Sequence, residues 1–525
     1  RRNIMAKFNK NDDSLVVIIG SGAGGGTLGY ELAKKGVKSV ILEAGGRHEI
    51  KDFSNDEWGM FGQISWLDKR TTSGDWRVAK DFGGLPAWIV KAVGGSTVHW
   101  AGASLRFQDH EWKAKSNYGN VKGASLLDWP IDGKEMAPYY AKAENEMGTT
   151  GTNGIERLPG NNNYKVFEAG AKKVGYKRVH TGNMSINSKP RDGRMGCQQI
   201  GFCFQGCKSG AKWSTLYSAI PKGEKTGNLE VRPNSHVLRI EHDKSGKVTG
   251  VVYKDKDGNT QVQKARIVAV AGNSIESPRI LLNSESSMFK NGLGNSSGEV
   301  GKNYMRHMTG SVYSIFEKPV YMYRGTTMAG IIQDESVHNP KRGFVGGYEL
   351  ETLSLGLPFM AAFLDPGQWG REFAGAMEKY DHMAGLWIVG EDMPQSSNRV
   401  TLSDQKDQYG MRAPNVHYSD HPNDVAMRNH AFKQSRKIYN AVGATRIIET
   451  PPYPSTHNLG TNRMSAKAKD GVVNKHGQSW DIKNLFVSDG SQFTTGASEN
   501  PTLTIVALAI RQADYIAKQM SSKNI

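Results

Sequence analysis

LVVIIGSGAGGGTLGYELAKKGVKSVILEAG, residues 15–45, decides the fold. Its apolar start reads as a short buried strand, GSGAGG as a tight turn, TLGYELAKKG as a helix and SVILEAG as a second strand. Strand, glycine turn, helix and strand in that order form the dinucleotide-binding unit of an α/β sheet. Gly20 allows the turn, Gly22 lets backbone amides approach a pyrophosphate, and Gly25 permits close helix packing. The helix N-terminus adds a favourable field for the phosphate charge. Glu43, 23 positions after Gly20, stands where a carboxylate accepts both ribose hydroxyls of an adenosine. A glycine turn alone is common; the flanking strands and the acidic residue make this one specific. It does not separate FAD from NAD.

Working outward, residues 238–273 alternate as strands with turns at 244–246 and 257–258, ending in a buried strand at 266–271. Two-domain flavoproteins return to the sheet in this way, whereas a simple NAD domain does not require it. Between residues 319 and 448 the character changes. FEKPVYMYRG, GFVGGYELE, MAGLWIVGED and RAPNVHYSD read as strands separated by long loops, and helical spacing returns at PNDVAMRNHAFKQSRKIYNAVG. This suits a sheet lying over a cofactor with its open face shaping a substrate pocket, for which Tyr348, Glu349 and Trp387 are candidates.

A chain of 525 residues is long enough for two domains, and 38% hydrophobic and 22% charged residues with 61 glycines describe a folded, loop-rich enzyme. No stretch approaches the roughly twenty apolar residues that cross a bilayer, so membrane association would come through a partner. Lys and Arg exceed Asp and Glu by 67 − 51 = 16. That excess is spread along the chain without an aromatic-interleaved basic run, which indicates a solvated basic surface rather than nucleic-acid binding. Arg1 and Arg2 are followed by polar residues where an export signal needs an apolar segment, and Met5 reads as a natural start behind a few added residues.

Cys197, Cys203 and Cys207 are the only cysteines, and all lie within MGCQQIGFCFQGCKSGAKWS. An odd number cannot pair fully as disulfides within one chain, and glycine-containing spacings of six and four let one loop point three thiolates at one centre. A structural zinc site would need a histidine from elsewhere as fourth ligand, and a 4Fe–4S cluster normally takes four cysteines. Three thiolates match a 3Fe–4S cluster with one protein ligand per iron.

Several blocks in order carry a resemblance: GGSTVHWAG at 94–102, DWPI at 128–131, GNSIESPRILLNS at 272–284, VGKNYMRH at 300–307, NRVTLS at 398–403, HNLGTNRM at 457–464, NLFVSDGSQF at 484–493 and SENPTLT at 498–504. With the N-terminal fingerprint, the chain resembles the glucose-methanol-choline oxidoreductases over nearly its whole length. Within them it is most similar to the FAD and iron–sulfur large subunits of bacterial membrane-bound sugar, gluconate and polyol dehydrogenases. ESPRILLNSESS departs from the family by lacking a Ser-Gly-x-Gly ending, so that turn is expected to be built differently.

The resemblance implies an α/β fold, α+β overall: a Rossmann-like FAD-binding domain and a substrate domain on an antiparallel sheet, of the p-hydroxybenzoate-hydroxylase type. The expected divisions are 12–120, 191–318 and 449–525 for the FAD domain, and 121–190 and 319–448 for the substrate domain. His457 and Asn500 are implied to face flavin N5, the imidazole as general base and the amide as a hydrogen-bond donor to the developing alkoxide. Around the FAD the implied contacts are Gly20, Gly22, Ala23, Gly25, Glu43 and Ala44 from the first unit, and Gly94, Gly95, Ser96, His99, Trp100 and Ala101 from the second block. Val237, Asp489, Gly490, Asn500, Pro501 and Thr502 complete the set, with Pro501 opening a last helix aimed at the pyrimidine edge of the flavin. His99 is expected to pack against the ring rather than to link to it covalently.

The expected activity is oxidation of an alcohol group of a sugar, sugar acid, glycoside or polyol, with electrons leaving through a 3Fe–4S cluster at Cys197, Cys203 and Cys207 to a cytochrome or quinone-linked acceptor. The competing readings are an oxidase that reduces dioxygen to peroxide and a flavin electron-transfer subunit without catalysis. The resemblance further implies a small companion subunit, a cytochrome c-type partner and placement at the periplasmic face of a bacterial inner membrane; a soluble cytoplasmic enzyme is the alternative.

Overall fold

The computed structural model describes residues 7–57, 59–60, 89–364, 369–450 and 457–525. Arg1, Arg2 and Met5, on which the reading of the N-terminus turns, lie outside the described residues. VVII at Val16–Ile19 is buried at every position, as a strand covered on both faces must be. It forms the centre of a parallel sheet in the order Leu485–Val487, Ile267–Val270, Val16–Ile19, Ser39–Leu42, Leu229–Arg232. Helix Ala23–Lys34 follows the glycine turn directly and packs against the last helix, Thr502–Ser521. That last helix buries Leu503, Val506, Ala507, Ile510 and Ala513, one face at i, i+3, i+4 and i+7 spacing. The expected meander forms as His236–His242, Val248–Lys254 and Thr260–Lys264, so the turns read at 244–246 and 257–258 are present.

The second layer is a six-stranded sheet in the order Arg446–Thr450, Met308–Ile315, Met383–Gly390, Tyr348–Thr352, Ile331–Ile332, Val179–His180. Every pair in it is antiparallel. Helix Pro422–Asn440 covers one face, capped by His421 and Asp424 in a reciprocal box. The boundary expected at 318 falls behind Met308–Ile315, a strand of this sheet, so the change of layer comes before Met308. FEKPVYMYRG is not a strand. The Val320 and Tyr321 amides both donate to the Asp381 carbonyl and Tyr321 has φ 53°, which bends the chain out of any ladder.

The turn after ESPRILLNS is closed without glycine. Helix Asn273–Asn283 ends at Ser284, whose hydroxyl lies 2.7 Å from the Ile280 carbonyl and accepts the Ile240 amide at 2.9 Å. Among the described residues no helix is long and apolar enough to cross a membrane.

Candidate active site

A long cavity runs from the first glycine turn to the start of the last helix, between the two sheets. At one end Gly20 takes φ 101°, and a Cβ there would lie 2.3 Å from the Ala271 carbonyl oxygen. No residue but glycine fits. Glu43 is buried beside it. Its Oε2 accepts the Ser21 amide at 3.0 Å and hydroxyl at 2.6 Å, and its Oε1 accepts the Gly45 amide at 2.9 Å. Burial holds its carboxyl above the usual range, against these donors. Of the roughly four acceptor positions of a carboxylate, the protein fills most. Both carboxylate oxygens of Glu43 are thereby held beside the first turn.

The first turn and the 94–102 block meet backbone to backbone. A Cβ on Gly95, which has φ 52°, would come within 2.7 Å of the Gly22 Cα. The Gly94 amide donates to the Ser21 hydroxyl at 3.0 Å, tying the two loops. His99 is buried with Nδ1 on the Phe204 carbonyl, and Trp100 donates Nε1–H to the Trp213 carbonyl at 2.9 Å. Burial pushes His99 down to about 3, so its ring is neutral.

Of the residues expected around a dinucleotide, Gly20, Gly22, Ala23, Glu43 and Ala44 line the cavity, as do Gly95, Ser96, His99, Trp100 and Ala101. So do Val237, Asp489, Gly490, Asn500, Pro501 and Thr502. Gly25 and Gly94 stand behind that wall; a Cβ on Gly25 would strike the Gly20 carbonyl oxygen at 2.0 Å, so its place is packing. Asp489 accepts the Asn273 amide at 2.9 Å and the Ser491 amide at 2.8 Å, which fixes two loops at the cavity floor.

At the far end, His457, Asn500 and Trp387 share one wall with Met328, Leu353 and Leu355. A chain of hydrogen bonds sets the tautomer of His457. His307 Nε2 is 3.0 Å from the Gly496 carbonyl and must donate to it. In a neutral ring its Nδ1 is then an acceptor, and His457 Nδ1, 2.9 Å away, supplies the proton. The lone pair of His457 is thereby placed on Nε2. Burial, with His307 beside it, holds His457 well below the ordinary histidine range; burial alone takes His307 down to about 4. Both rings are neutral near pH 7.

Asn500 approaches Glu351 with Nδ2 3.5 Å from Oε2, and burial holds that carboxyl up at about 8. Trp387 packs edge-on to His457, ring centres 5.2 Å apart, and pairs across the sheet with Glu351. Among the described residues, Asn500 Oδ1 and Trp387 Nε1 have no hydrogen-bond partner, two polar atoms left for a ligand in a largely apolar wall.

Two pocket candidates belong elsewhere. Neither Tyr348 nor Glu349 lines the cavity: Tyr348 lies on the helix-covered face of the sheet with its hydroxyl 2.9 Å from His430 Nδ1, and Glu349, on the same face as Glu351, is buried and accepts Gln333 Nε2 at 2.7 Å. His307 and Glu351 are the residues missed. VGKNYMRH contains His307 but nothing in its spacing points to His457, which lies 150 positions on.

Cys197, Cys203 and Cys207 are free thiols on one partly exposed loop. Each sulfur faces an amide: Gln199 at 3.5 Å, Thr327 at 3.5 Å and Lys212 at 3.4 Å respectively. Burial pushes Cys197 up to about 12 and raises Cys203; for Cys207 burial is outweighed by the Lys212 amide and the Ser209 hydroxyl, and its thiol lies below the usual value. Among the described residues no three His, Cys, Asp or Glu side chains converge as a single metal ion requires, so zinc finds no site there. A cluster with one thiolate per iron asks less convergence and uses amide donors to sulfur of the kind present here. The loop adjoins the cavity, since Phe204, between Cys203 and Cys207, lines it.

Comparison with known proteins gives the family and the fold. Two family models described as GMC oxidoreductase match residues 81–309 and 394–509. The chain is 32% identical to the 2-methyl-1,2-propanediol dehydrogenase of Mycolicibacterium austroafricanum over 97% of its own length and 96% of that protein. It is 28% identical to the fructose dehydrogenase large subunit of Gluconobacter japonicus, over 96% and 98% of the two chains. The crystal structure of pyridoxine 4-oxidase from Mesorbium loti shares the fold with a TM-score of 0.66 at 17% identity, covering 95% of this chain and 98% of that one. The chain belongs to the GMC oxidoreductase family, whose members bind FAD.

Proposed function

We propose that this protein is an FAD-dependent alcohol dehydrogenase whose general base is Nε2 of His457. The observation that carries the reading is the hydrogen-bond chain from Gly496 through His307 to His457, which supports a His457 proton on Nδ1 and a lone pair on Nε2 in a ring that burial keeps neutral. FAD supplies the acceptor for a hydride from the alcohol carbon. The protein's part is to place the hydroxyl between His457 and Asn500, to take its proton on Nε2, and to exclude water with Trp387, Leu353, Leu355 and Met328. The residues lining the cavity from Gly20 to Thr502 would hold the cofactor, with the N-terminus of Thr502–Ser521 favouring negative charge on its ring.

The substrate we propose is a small polyol, sugar, sugar acid or glycoside. Relatives named for a branched diol and for fructose support this class, and the apolar wall beside His457 favours a substrate that presents carbon next to the reacting hydroxyl. Cys197, Cys203 and Cys207 would hold a 3Fe–4S cluster, which supplies one-electron transfer to a cytochrome or quinone-linked partner. The amide donors facing each sulfur support that assignment. A companion subunit belongs to the same proposal and is supported by a relative itself named a large subunit; a periplasmic position is proposed with it.

The test is purification of the protein followed by flavin and iron analysis and a dye-reduction screen with 2-methyl-1,2-propanediol, fructose, glucose, gluconate and sorbitol. Dye reduction without peroxide supports the dehydrogenase. Oxygen uptake and peroxide with substrate alone identify an oxidase instead, and a flavin that no alcohol bleaches removes the catalytic reading.

A further inference from the structure

Lys212 is a buried cation that alcohol oxidation leaves unused. It is 1% exposed. Its Nζ donates to the carbonyls of Val98 at 2.9 Å, Trp100 at 2.6 Å and Cys203 at 2.6 Å. Those bonds use all three ammonium protons, and they go to oxygens that bear no net charge. Two of the carbonyls belong to the segment that carries His99 and Trp100 along the cavity; the third belongs to the cysteine loop. One ammonium therefore pins the two regions together.

A buried ammonium is stable only where an opposite charge compensates the lost hydration. Among the described residues no carboxylate pairs with Lys212; it is bound instead to the backbone of Cys203 at 2.6 Å, and the charge to balance it would come from the cysteine sulfurs once they act as ligands. The Lys212 amide also donates to Cys207 Sγ. Side chain and backbone of one residue thus hold the cysteine loop at two points, the Cys203 carbonyl and the Cys207 sulfur.

We propose that Lys212 is the fixed countercharge of the cysteine thiolates and poises a bound iron–sulfur cluster to accept electrons from the flavin. The inference rests on the cluster assignment made above. No bond forms or breaks at Lys212. A cluster held by the three cysteines would supply one-electron transfer, and each electron it held would add one negative charge beside Lys212. A fixed positive charge stabilises the state with the extra electron, so its presence raises the reduction potential; net charge and hydrogen bonds to sulfur are among the factors that set such potentials.

The experiment is iron analysis and an EPR-monitored redox titration of purified holoenzyme: the wild type, Lys212→Met, which keeps length without charge, and Lys212→Arg, which keeps charge. The expected result is a more negative cluster midpoint in Lys212→Met and a near wild-type midpoint in Lys212→Arg. Equal midpoints in the wild type and Lys212→Met overturn the inference while leaving the cluster intact. Wild-type enzyme without iron overturns the cluster assignment and the inference with it. Iron lost from Lys212→Met but kept in Lys212→Arg supports the countercharge; iron lost from both overturns it in favour of side-chain shape. Lys212→Gln replaces the methionine variant if that fails to fold.

Discussion

His307 and His457 meet Nδ1 to Nδ1 at 2.9 Å with their rings nearly perpendicular, and the other nitrogen of His307 is fixed by the Gly496 carbonyl. His307 selects one tautomer and one ring orientation for His457, as a carboxylate does behind a catalytic histidine. It differs in being neutral, so it adds no negative field to stabilise an imidazolium. His307→Ala should therefore lower kcat by about 10-fold or more, a part of the ~10²–10⁴ that a general base contributes, with flavin content unchanged. Steady-state kinetics with the absorbance spectrum of the variant check this. An unchanged kcat would show that His457 needs no orienting partner.

Because burial holds His457 well below the ordinary histidine range, the base remains deprotonated at pH 6.5 and below. Protonation inactivates it, so kcat/KM should stay level as pH falls from 7 through 6.5 and decline only at more acid pH. An acid limb centred at 6.5 or above contradicts the burial argument.

Glu351 predicts the opposite limb. Held up at about 8 by burial, it is neutral at pH 7 and acquires its charge as pH rises through that value. A carboxylate beside Asn500 opposes the negative charge that develops on the substrate oxygen. The wild type should lose kcat/KM above about pH 8, and Glu351→Gln should flatten that decline. A pH profile of the two enzymes decides it; identical alkaline limbs would remove Glu351 from the site.

Gly95→Ala places a methyl group 2.7 Å from the Gly22 Cα at a φ of 52°. Such strain costs roughly 1–3 kcal/mol, and relief requires the two cofactor loops to part. Flavin occupancy of the purified variant should drop. Full occupancy would mean that the loops separate without consequence for the cofactor.

The cofactor end was legible because its evidence is local. Gly20, Gly22 and Glu43 stand in one continuous unit whose spacing has a direct geometric meaning, and the cysteines declare themselves by lying together. The catalytic end is assembled across distance. His307 matters only through a residue far along the chain, and its tautomer depends on a carbonyl from a third segment. Glu351 was obscured differently. In Tyr348–Thr352 the two glutamates alternate as solvent-facing residues of a half-buried strand would, yet every residue of that strand is buried. Alternation marks the strand but carries no sign that its charges are buried. FEKPVYMYRG shows the reverse error, where apolar and β-favouring residues sit in a loop held by the Asp381 carbonyl.

The central claim is that His457 takes the substrate proton. Anaerobic stopped-flow measurement of flavin reduction, with an alcohol that the dye screen finds active, addresses it most directly. His457→Ala should retain FAD and reduce it ~10²–10⁴-fold more slowly than the wild type. Flavin bleaching in that variant at the wild-type rate would contradict the assignment.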